Sequence, residues 1–335
     1  MTLPVVAIGL DHRHIYGMTE SICAAGAHCV GFWTDGAPGT LGGFIERFPD
    51  TPRFEALGDA LGSGAKLALI SAVPADRATL AIRAMDAGMD VMVDKPGCTT
   101  FEQLGAIRAC VARTGRIWSV NFSERFETRC STLASELVEA GEIGRVIQTV
   151  GLGPHRLNRA TRPPWFFKRD RYGGILTDIA SHQIDQFLHY TGAADAEVTH
   201  AFVANRGNPD KPGLQDLGEL NLRSDTASGY IRVDWFTPDA LPNWGDGRLT
   251  ILGTEGYIEL RKYVDVGGRT GTDSVVLVNG TRCETLDARD AGLPYFSRLL
   301  GDIENRTETA MSQAHCFTVM RLALAAQAKA EGATT

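Results

Sequence analysis

The first third of the chain alternates between two kinds of segment, and this alternation most restricts how the chain can fold. Short apolar runs such as residues 5–10 and 67–73 have no polar face, whereas the stretches between them carry apolar residues at helical spacing. Runs without a polar face are typical of strands that are buried on both sides, as in parallel sheets covered by helices. We therefore predict an α/β N-terminal domain of the Rossmann type, with a parallel sheet.

Glycine and threonine mark where the helices of this domain end and begin. Gly88 and Gly115 follow the last apolar residue of a helical pattern, where glycine commonly ends a helix. Thr99 or Thr100 can begin the helix that Gly115 ends, because a glutamate or glutamine follows each of them three residues later. The predicted strands are residues 5–10, 28–34, 67–73, 89–93 and 117–122.

Beyond residue 122, strand-like segments follow one another with few helices between them. They lie at residues 146–151, 200–204, 219–222, 230–235, 248–252, 257–260 and 274–278. Successive strands without helices between them predict a large, mostly antiparallel or mixed sheet, with a helix near residues 175–190 on one face. We expect two domains, residues 1–122 and an α+β domain of residues 123–335, with a helix at 312–330 that can pack back on the first.

Composition excludes several classes of function. The formal net charge of -7 provides no positive field for nucleic acid, and no apolar stretch reaches membrane-spanning length. The 7 cysteines are scattered and never fall at CxxC spacing, so neither a disulfide framework nor a thiolate zinc site is indicated. The apolar run near the N-terminus is too short for an export signal. We expect a soluble protein of the reducing cytoplasm.

The turn after the first predicted strand resembles a dinucleotide-binding turn only in part. Such a turn usually reads GxGxxG, because glycines let the backbone approach a pyrophosphate at a helix N-terminus. Here Gly9 is in place, but Asp11 and His14 stand where the second and third glycines are expected. Arg13 and the histidines can add positive charge, which Asp11 opposes. A strand-to-helix turn with no ligand is an equally good interpretation of the motif alone.

Asp35 follows the second predicted strand, at the position where an acid binds the adenosine ribose of NAD and repels the 2′-phosphate of NADP. This favours NAD over NADP as the cofactor. Asp35 is equally able to open the turn formed with Gly36, since aspartate is frequent in turns without any ligand.

Lys95 leaves the carboxyl end of a buried strand just before Pro96, at the edge where open α/β sheets bind ligands. A lysine in this position can donate a hydrogen bond to a substrate hydroxyl and stabilise a developing alkoxide. The alternative is a surface lysine paired with Asp94.

A helix that follows Gly173 and Gly174 carries Asp178, His182 and Asp185 at positions i, i+4 and i+7, and therefore on one face. A histidine held between carboxylates is suited to act as a general base near neutral pH. Intrahelical ion pairs or a metal site are the alternatives, and we predict no metal because no further ligand cluster is nearby. His12 and His14 form an HxH pattern, as in some metal-dependent hydrolase barrels, but the later half of the chain lacks the alternation of a barrel.

Taken together, these residues resemble the Gfo/Idh/MocA family, the group of glucose-fructose oxidoreductase and inositol dehydrogenase. That family has Glu-Lys-Pro where this chain has Asp94, Lys95 and Pro96, and it shows a glycine pair followed by D-x-x-x-H-x-x-D. Further matches are the strand end Ser71-Ala72-Val73-Pro74, the pair Arg125-Phe126 and the turn Gly253-Thr254-Glu255-Gly256.

The resemblance implies a nicotinamide-dependent dehydrogenase of a sugar, polyol or sugar acid, with Lys95, Asp178 and His182 as the catalytic residues. It implies that His182 takes the hydroxyl proton, Lys95 polarises the oxygen and Asp178 orients the substrate or the histidine. The expected cofactor-binding residues are Gly9, Leu10, Asp11, His12, Arg13, His14, Asp35, Ser71, Ala72, Val73, Pro74, Asp94 and Lys95.

The substrate is expected near a segment rich in aromatic and cationic residues that precedes the glycine pair. The candidate substrate-binding residues are Asn121, Arg125, His155, Trp165, Arg169, Asp178 and His182. The cations of this segment are equally well explained as a solvated loop. Two alternative functions remain: a redox-neutral NAD-dependent glycosidase or lyase, and a non-catalytic ligand sensor. The resemblance also implies a homo-oligomer, a dimer or tetramer formed through the C-terminal sheet.

Overall fold

The computed structural model describes residues 2–267 and 272–332, which form two compact units. The first unit comprises Met1–Asn121, Asp170–Gly173 and Pro294–Met320, and the second comprises Phe122–Arg169, Gly174–Leu293 and Arg321–Thr335. Whether residues 1–122 and 123–335 fold as separate domains stays a prediction.

The first unit contains the predicted parallel sheet. Its strands are β1 (Leu3–Ile8), β2 (Ala27–Trp33), β3 (Leu67–Ile70), β4 (Asp90–Asp94) and β5 (Trp118–Asn121). They lie in the order β2-β1-β3-β4-β5, and every neighbouring pair is parallel. Because the chain builds outward from β1 in both directions, the order reverses between β1 and β3, and open α/β sheets bind ligands outside the carboxyl ends at such a point.

Helices connect these strands, as the apolar spacing predicts. They are α1 (His14–Ala24), α2 (Leu41–Arg47), α3 (Leu57–Leu61), α4 (Pro74–Asp86) and α5 (Phe101–Thr114). Thr100 caps α5 by accepting a hydrogen bond from the Gln103 N–H, and Gly115 ends it at φ +64°. The strand predicted at 67–73 ends earlier, at Ile70, because Pro74 already begins α4, where its fixed φ and missing N–H suit a first helical turn.

The second unit contains the predicted large sheet, of 8 strands in the order β13-β12-β11-β10-β6-β9-β8-β7. The strands are β6 (Val146–Pro154), β7 (Glu197–Ala204), β8 (Leu217–Arg223), β9 (Ser228–Asp234), β10 (Arg248–Gly253), β11 (Gly256–Arg261), β12 (Ser274–Asn279) and β13 (Cys283–Asp287). All pairs are antiparallel except β6 and β9. β13 was not predicted, because it is an edge strand with almost no buried residue and therefore no apolar alternation.

The remaining helices are α6 (Ser123–Phe126), α7 (Arg129–Glu139), α8 (Arg169–Tyr172), α9 (Ile175–Asp178), α10 (Ala180–Thr191), α11 (Pro294–Asn305) and α12 (Gln313–Ala330). Short 3-10 helices cover Arg159–Thr161 and Pro164–Phe167. No helix in the described part of the chain has the length and apolar character needed to cross a membrane.

Glycines in the central strands let α10 lie close against the second sheet. A Cβ atom at Gly151 of β6 would lie 2.8 Å from Gln183 Cγ, and one at Gly229 of β9 would lie 2.8 Å from Phe187 Cδ2. Both distances are shorter than a carbon–carbon contact, so larger residues would push the helix away. The predicted packing of this helical segment on one face of the sheet is therefore confirmed.

Candidate active site

Gly9 allows the turn after β1 to lie directly against the segment that follows β3. Its φ is +71°, and a Cβ atom there would lie 2.5 Å from Ala72 Cβ. The backbone is held further by His12 N–H, which donates to the Ser71 carbonyl at 3.0 Å. Leu10 is fully buried and its N–H donates to Thr34 Oγ1. The structure thus brings together these members of the predicted cofactor-binding set, at the carboxyl ends of β1 and β3.

Asp11 lies where the fingerprint has its second glycine. Burial raises the pKa of the Asp11 carboxyl, and the positive charge of Arg77 and the N–H of Val73 partly oppose that rise.

Asp94, at the end of β4, is a fully buried carboxylate surrounded by donors. Its Oδ2 accepts from Arg77 Nη2 at 2.8 Å and from Ser71 Oγ at 3.2 Å, and its Oδ1 lies 2.7 Å from His14 Nδ1. His12 Nδ1 is 3.0 Å from Oδ2. Burial alone would raise the pKa of Asp94, but Arg77 and the two imidazoles hold it well below the ordinary value. Burial also lowers the pKa of His12 to about 3, so its ring is neutral at physiological pH.

Arg77 of α4 fixes the loop that carries Lys95. Its side chain is 1% exposed, and Nη1 donates to the carbonyls of Asp94, Lys95 and Pro96 while Nε donates to that of Ala72 at 2.8 Å. Lys95 itself is 4% exposed and is therefore not a solvated surface lysine. Sequence analysis missed Arg77, because a single arginine in a helical pattern gives no signal of burial.

Asp35 is exposed in the turn after β2. Arg53 holds this turn by donating from Nη2 to the carbonyls of Thr34 at 3.3 Å and Gly36 at 2.9 Å. The carboxylate is therefore presented at the end of β2 on a braced backbone.

Asp178 and His182 belong to the second unit and lie on two short helices rather than on the single helix predicted. Asp178 ends α9, Ile179 separates the two helices, and His182 lies in the first turn of α10. Both side chains are at least nine-tenths buried, and the His182 ring makes an edge contact with Phe122 at 6.4 Å.

Glutamine side chains fix the start of α9. The Ile175 N–H donates to Gln215 Oε1 and the Leu176 N–H donates to Gln327 Oε1, both at 3.0 Å. Gln327 is itself buried and belongs to α12. The orphan N–H groups of a helix start are thus satisfied by side chains distant in sequence, which sequence analysis could not anticipate.

Arg125 is bonded to Asp185, the second carboxylate of the predicted histidine face. The guanidinium makes a bidentate pair, with Nε and Nη2 each 2.6 Å from a carboxylate oxygen. Asp185 is completely buried, so this pair fixes the middle of α10.

A buried ion pair lies beside the same helix and was also missed. Lys262 Nζ is 2.7 Å from Glu124 Oε2 and 2.9 Å from Gln186 Oε1, and Gln183 Nε2 donates to the same Glu124 oxygen at 2.9 Å. Burial alone would raise the pKa of Glu124, but Lys262, followed by His182 and His155, holds it at about 2.

Several residues of the predicted substrate segment already contact other side chains of the protein. The His155 ring packs against Trp244 at 4.5 Å and Trp235 at 5.4 Å, and Trp165 is half-buried. Arg169 makes a bidentate pair with Glu331. Asn121 is buried at the end of β5, in the first unit.

The first unit has a Rossmann-type parallel sheet with a switch point between β1 and β3, and the second is a helix-covered mixed sheet. The model of the GFO/IDH/MocA C-terminal domain matches residues 132–259. Residues 132–259 therefore carry the C-terminal domain of the GFO/IDH/MocA family, and the predicted resemblance to this family is confirmed.

The chain is similar to characterised members of this family and to solved structures. It is 28% identical over 262 residues to scyllo-inositol 2-dehydrogenase (NAD(+)) of Bacillus subtilis, covering 76% of this chain and 72% of that one. A putative oxidoreductase of Erwinia carotovora atroseptica is 44% identical with a TM-score of 0.95 over 99% of both chains. Myo-inositol 2-dehydrogenase of Lactobacillus plantarum shares the fold, with 18% identity and a TM-score of 0.73 over 99% of this chain and 98% of that one.

Proposed function

We propose that this protein is an NAD-dependent dehydrogenase that oxidises a hydroxyl-bearing carbon of a sugar, polyol or sugar acid. The observation that carries the proposal is the close approach of Gly9 to Ala72 at the switch point between β1 and β3, together with the buried Lys95, whose carbonyl accepts from Arg77. The relative named as a scyllo-inositol dehydrogenase supports the polyol class of substrate.

The residues of the first unit fit a nicotinamide dinucleotide. Gly9 has no side chain and a φ of +71°, so its backbone can approach a pyrophosphate at the carboxyl end of β1, and α1 begins nearby at His14. We assign Leu10, Asp11, His12, Arg13 and His14 to the pyrophosphate side of this site, and residues 71–74, Asp94 and Lys95 to the nicotinamide side. When bound, the dinucleotide accepts a hydride from the substrate carbon.

Three side chains transfer the proton, stabilise the developing charge and orient the substrate in this proposal. His182 accepts the proton of the substrate hydroxyl at a ring nitrogen, and Lys95 donates a hydrogen bond to the same oxygen and stabilises its developing charge. Asp178, at the end of α9, orients the substrate or the histidine. Lys95 and His182 are each buried, and a group with little water around it makes stronger electrostatic contacts.

NAD is the proposed form of the cofactor, on the basis of Asp35. Its exposed carboxylate stands on the turn braced by Arg53, where it can bind two ribose hydroxyls and repel a 2′-phosphate. The polar substrate contacts are assigned to Asn121, His155, Trp165, Arg125 and Arg169, although the last two already hold carboxylates of the protein.

The test is a substrate panel followed by NADH absorbance. Polyols, inositols, aldoses and sugar acids are each mixed with the protein and NAD, with His182→Ala as the matched control. A substrate-dependent rise that the control lacks supports the dehydrogenase. Binding of NAD without any rise would favour a redox-neutral enzyme or a sensor, and no binding of NAD or NADP would contradict the proposal.

We also propose a homo-oligomer formed through the open face of the large sheet, in a reducing compartment such as the cytoplasm. Leu252 and Tyr257 are directly paired across β10 and β11 and are 36% and 39% exposed, so they form an apolar spot on that face. All 7 cysteines are free thiols, as expected where thiols stay reduced.

A further inference from the structure

We propose that His12, His14 and Asp94 form a binding site for one divalent transition-metal ion of the zinc type. This proposal does not rest on the dehydrogenase function, since the site is defined by three side chains of the first unit alone. It reverses the expectation of no metal, which considered Asp178, His182 and Asp185 and set the HxH pattern aside.

The donor set suits such an ion. Two imidazoles and one carboxylate are ligands that zinc and neighbouring first-row ions prefer, and three protein ligands leave a position open to an oxygen of a bound molecule. Sequence alone could not complete this set, because Asp94 lies 80 residues beyond His14. The parallel sheet brings the carboxyl end of β4 to the turn after β1.

The geometry is close to that of a ligand sphere. Each of the three residues offers one ligating atom, and these three atoms lie within 4.8 Å of one another. A single ion can therefore contact all three. In a tetrahedral site with bonds of about 2.0–2.2 Å, two ligands of one ion lie about 3.3–3.6 Å apart. The two histidine–carboxylate pairs, at 3.0 and 2.7 Å, are already close to this spacing, so binding requires only small movements of these side chains.

His12 directs its buried Nδ1 toward the same carboxylate. This atom lies 3.0 Å from Asp94 Oδ2, and the two groups share a hydrogen bond. An ion that replaces the shared proton would be bound by the same two atoms.

Neighbouring residues hold the carboxylate in place for this role. Arg77 Nη2 and Ser71 Oγ both donate to Asp94 Oδ2, as outer-shell partners commonly do for a ligating carboxylate. The charge of Arg77 also opposes a dication, so we expect weaker binding than at a structural zinc site. Because both histidines are only partly buried, an ion has a path to the site.

The test uses the full-length protein, stripped with a chelator and titrated with Co²⁺ and Zn²⁺ alone. We expect one ion per chain by calorimetry, and visible absorption bands of Co²⁺ bound by imidazole. His12→Ala and His14→Ala each remove one ligand and should weaken binding by more than about 100-fold. His200→Ala, which changes an exposed histidine of β7, is the matched control and should bind as the wild type does.

Circular dichroism confirms that each variant is folded before titration. Absence of Co²⁺ binding to the wild type, or binding that His12→Ala and His14→Ala both retain, would overturn the proposal. These outcomes are independent of NADH formation, so failure of the metal site and failure of the proposed dehydrogenase are distinguished.

Discussion

At the scale of single residues, the buried charges decide how the protein responds to pH. Glu124 has a pKa of about 2 against an ordinary value of 4.5, because Lys262 outweighs the effect of burial. A carboxyl whose pKa is depressed on folding stabilises the protein above its unfolded pKa, and that stabilisation is lost as pH falls through the folded value. The relevant window therefore runs from about pH 4.5 down to about pH 2.

Glu124→Gln should remove this contribution, which corresponds to roughly 3 kcal/mol for a pKa lowered from 4.5 to about 2. The variant should be less stable at neutral pH, because Lys262 then lacks its counter-charge, and its free energy of unfolding should fall less steeply between pH 5 and 2. Urea unfolding across this range measures both effects. Glu139→Gln, at an exposed position of α7, is the control, and an unchanged pH slope in Glu124→Gln would contradict the prediction.

Asp35 decides cofactor preference in the proposed function. Asp35→Ser removes the carboxylate that repels a 2′-phosphate and should shift the ratio of NADP to NAD affinity upward by about tenfold or more. Calorimetric titration with each dinucleotide measures the ratio. Asp50→Ser, an exposed change elsewhere in the same unit, should leave it unaltered. If Asp35→Ser also leaves the ratio unaltered, Asp35 is only a turn residue.

At the scale of elements, the position of α10 depends on residues that lack side chains. Gly229→Ala introduces a Cβ atom 2.8 Å from Phe187, so the helix or the strand must move. Overpacking of this kind costs about 1–3 kcal/mol. Thermal unfolding should show a lower Tm for Gly229→Ala than for the wild type. Gly280→Ala, where the added atom meets nothing within 4 Å, is the control, and equal Tm values for the two variants would contradict this account.

Elements with a strong apolar pattern could be predicted, and elements whose partners are remote could not. The parallel strands and α5 are found close to their predicted positions. Strands buried on both faces appear in the sequence as short apolar runs, and the start of α5 is marked by its threonine cap. The division into α9 and α10 at Ile179 is not visible in the sequence. The N–H groups at the start of α9 donate to Gln215 and Gln327, which lie 40 and 151 residues away.

Residues of the candidate site divide in the same way. Lys95, Asp178 and His182 were predicted from motifs, because their spacing within a short segment is itself the signal. Arg77 and Lys262 were not, since a buried cation looks like any surface cation until its partners are known. Their roles emerge only from contacts made across the fold.

At the scale of the whole molecule, the open face of the large sheet is the proposed subunit contact. Replacing Leu252 and Tyr257 together by glutamate places two charges on the apolar spot and should lower the mass measured by light scattering to that of a monomer. Ile45→Glu, an equally exposed apolar position on α2, is the control and should keep the wild-type mass. A double variant that keeps the wild-type mass would move the contact elsewhere.

The central claim is hydride transfer from a hydroxyl-bearing carbon to a nicotinamide, and isotope transfer tests it most directly. A polyol that produces NADH in the substrate panel is prepared with deuterium on the oxidised carbon and incubated with the protein and NAD. The account predicts that one deuterium per turnover appears on the reduced nicotinamide, at a rate that His182→Ala lowers by about 100-fold or more. Product formed without deuterium in the nicotinamide pool would contradict it.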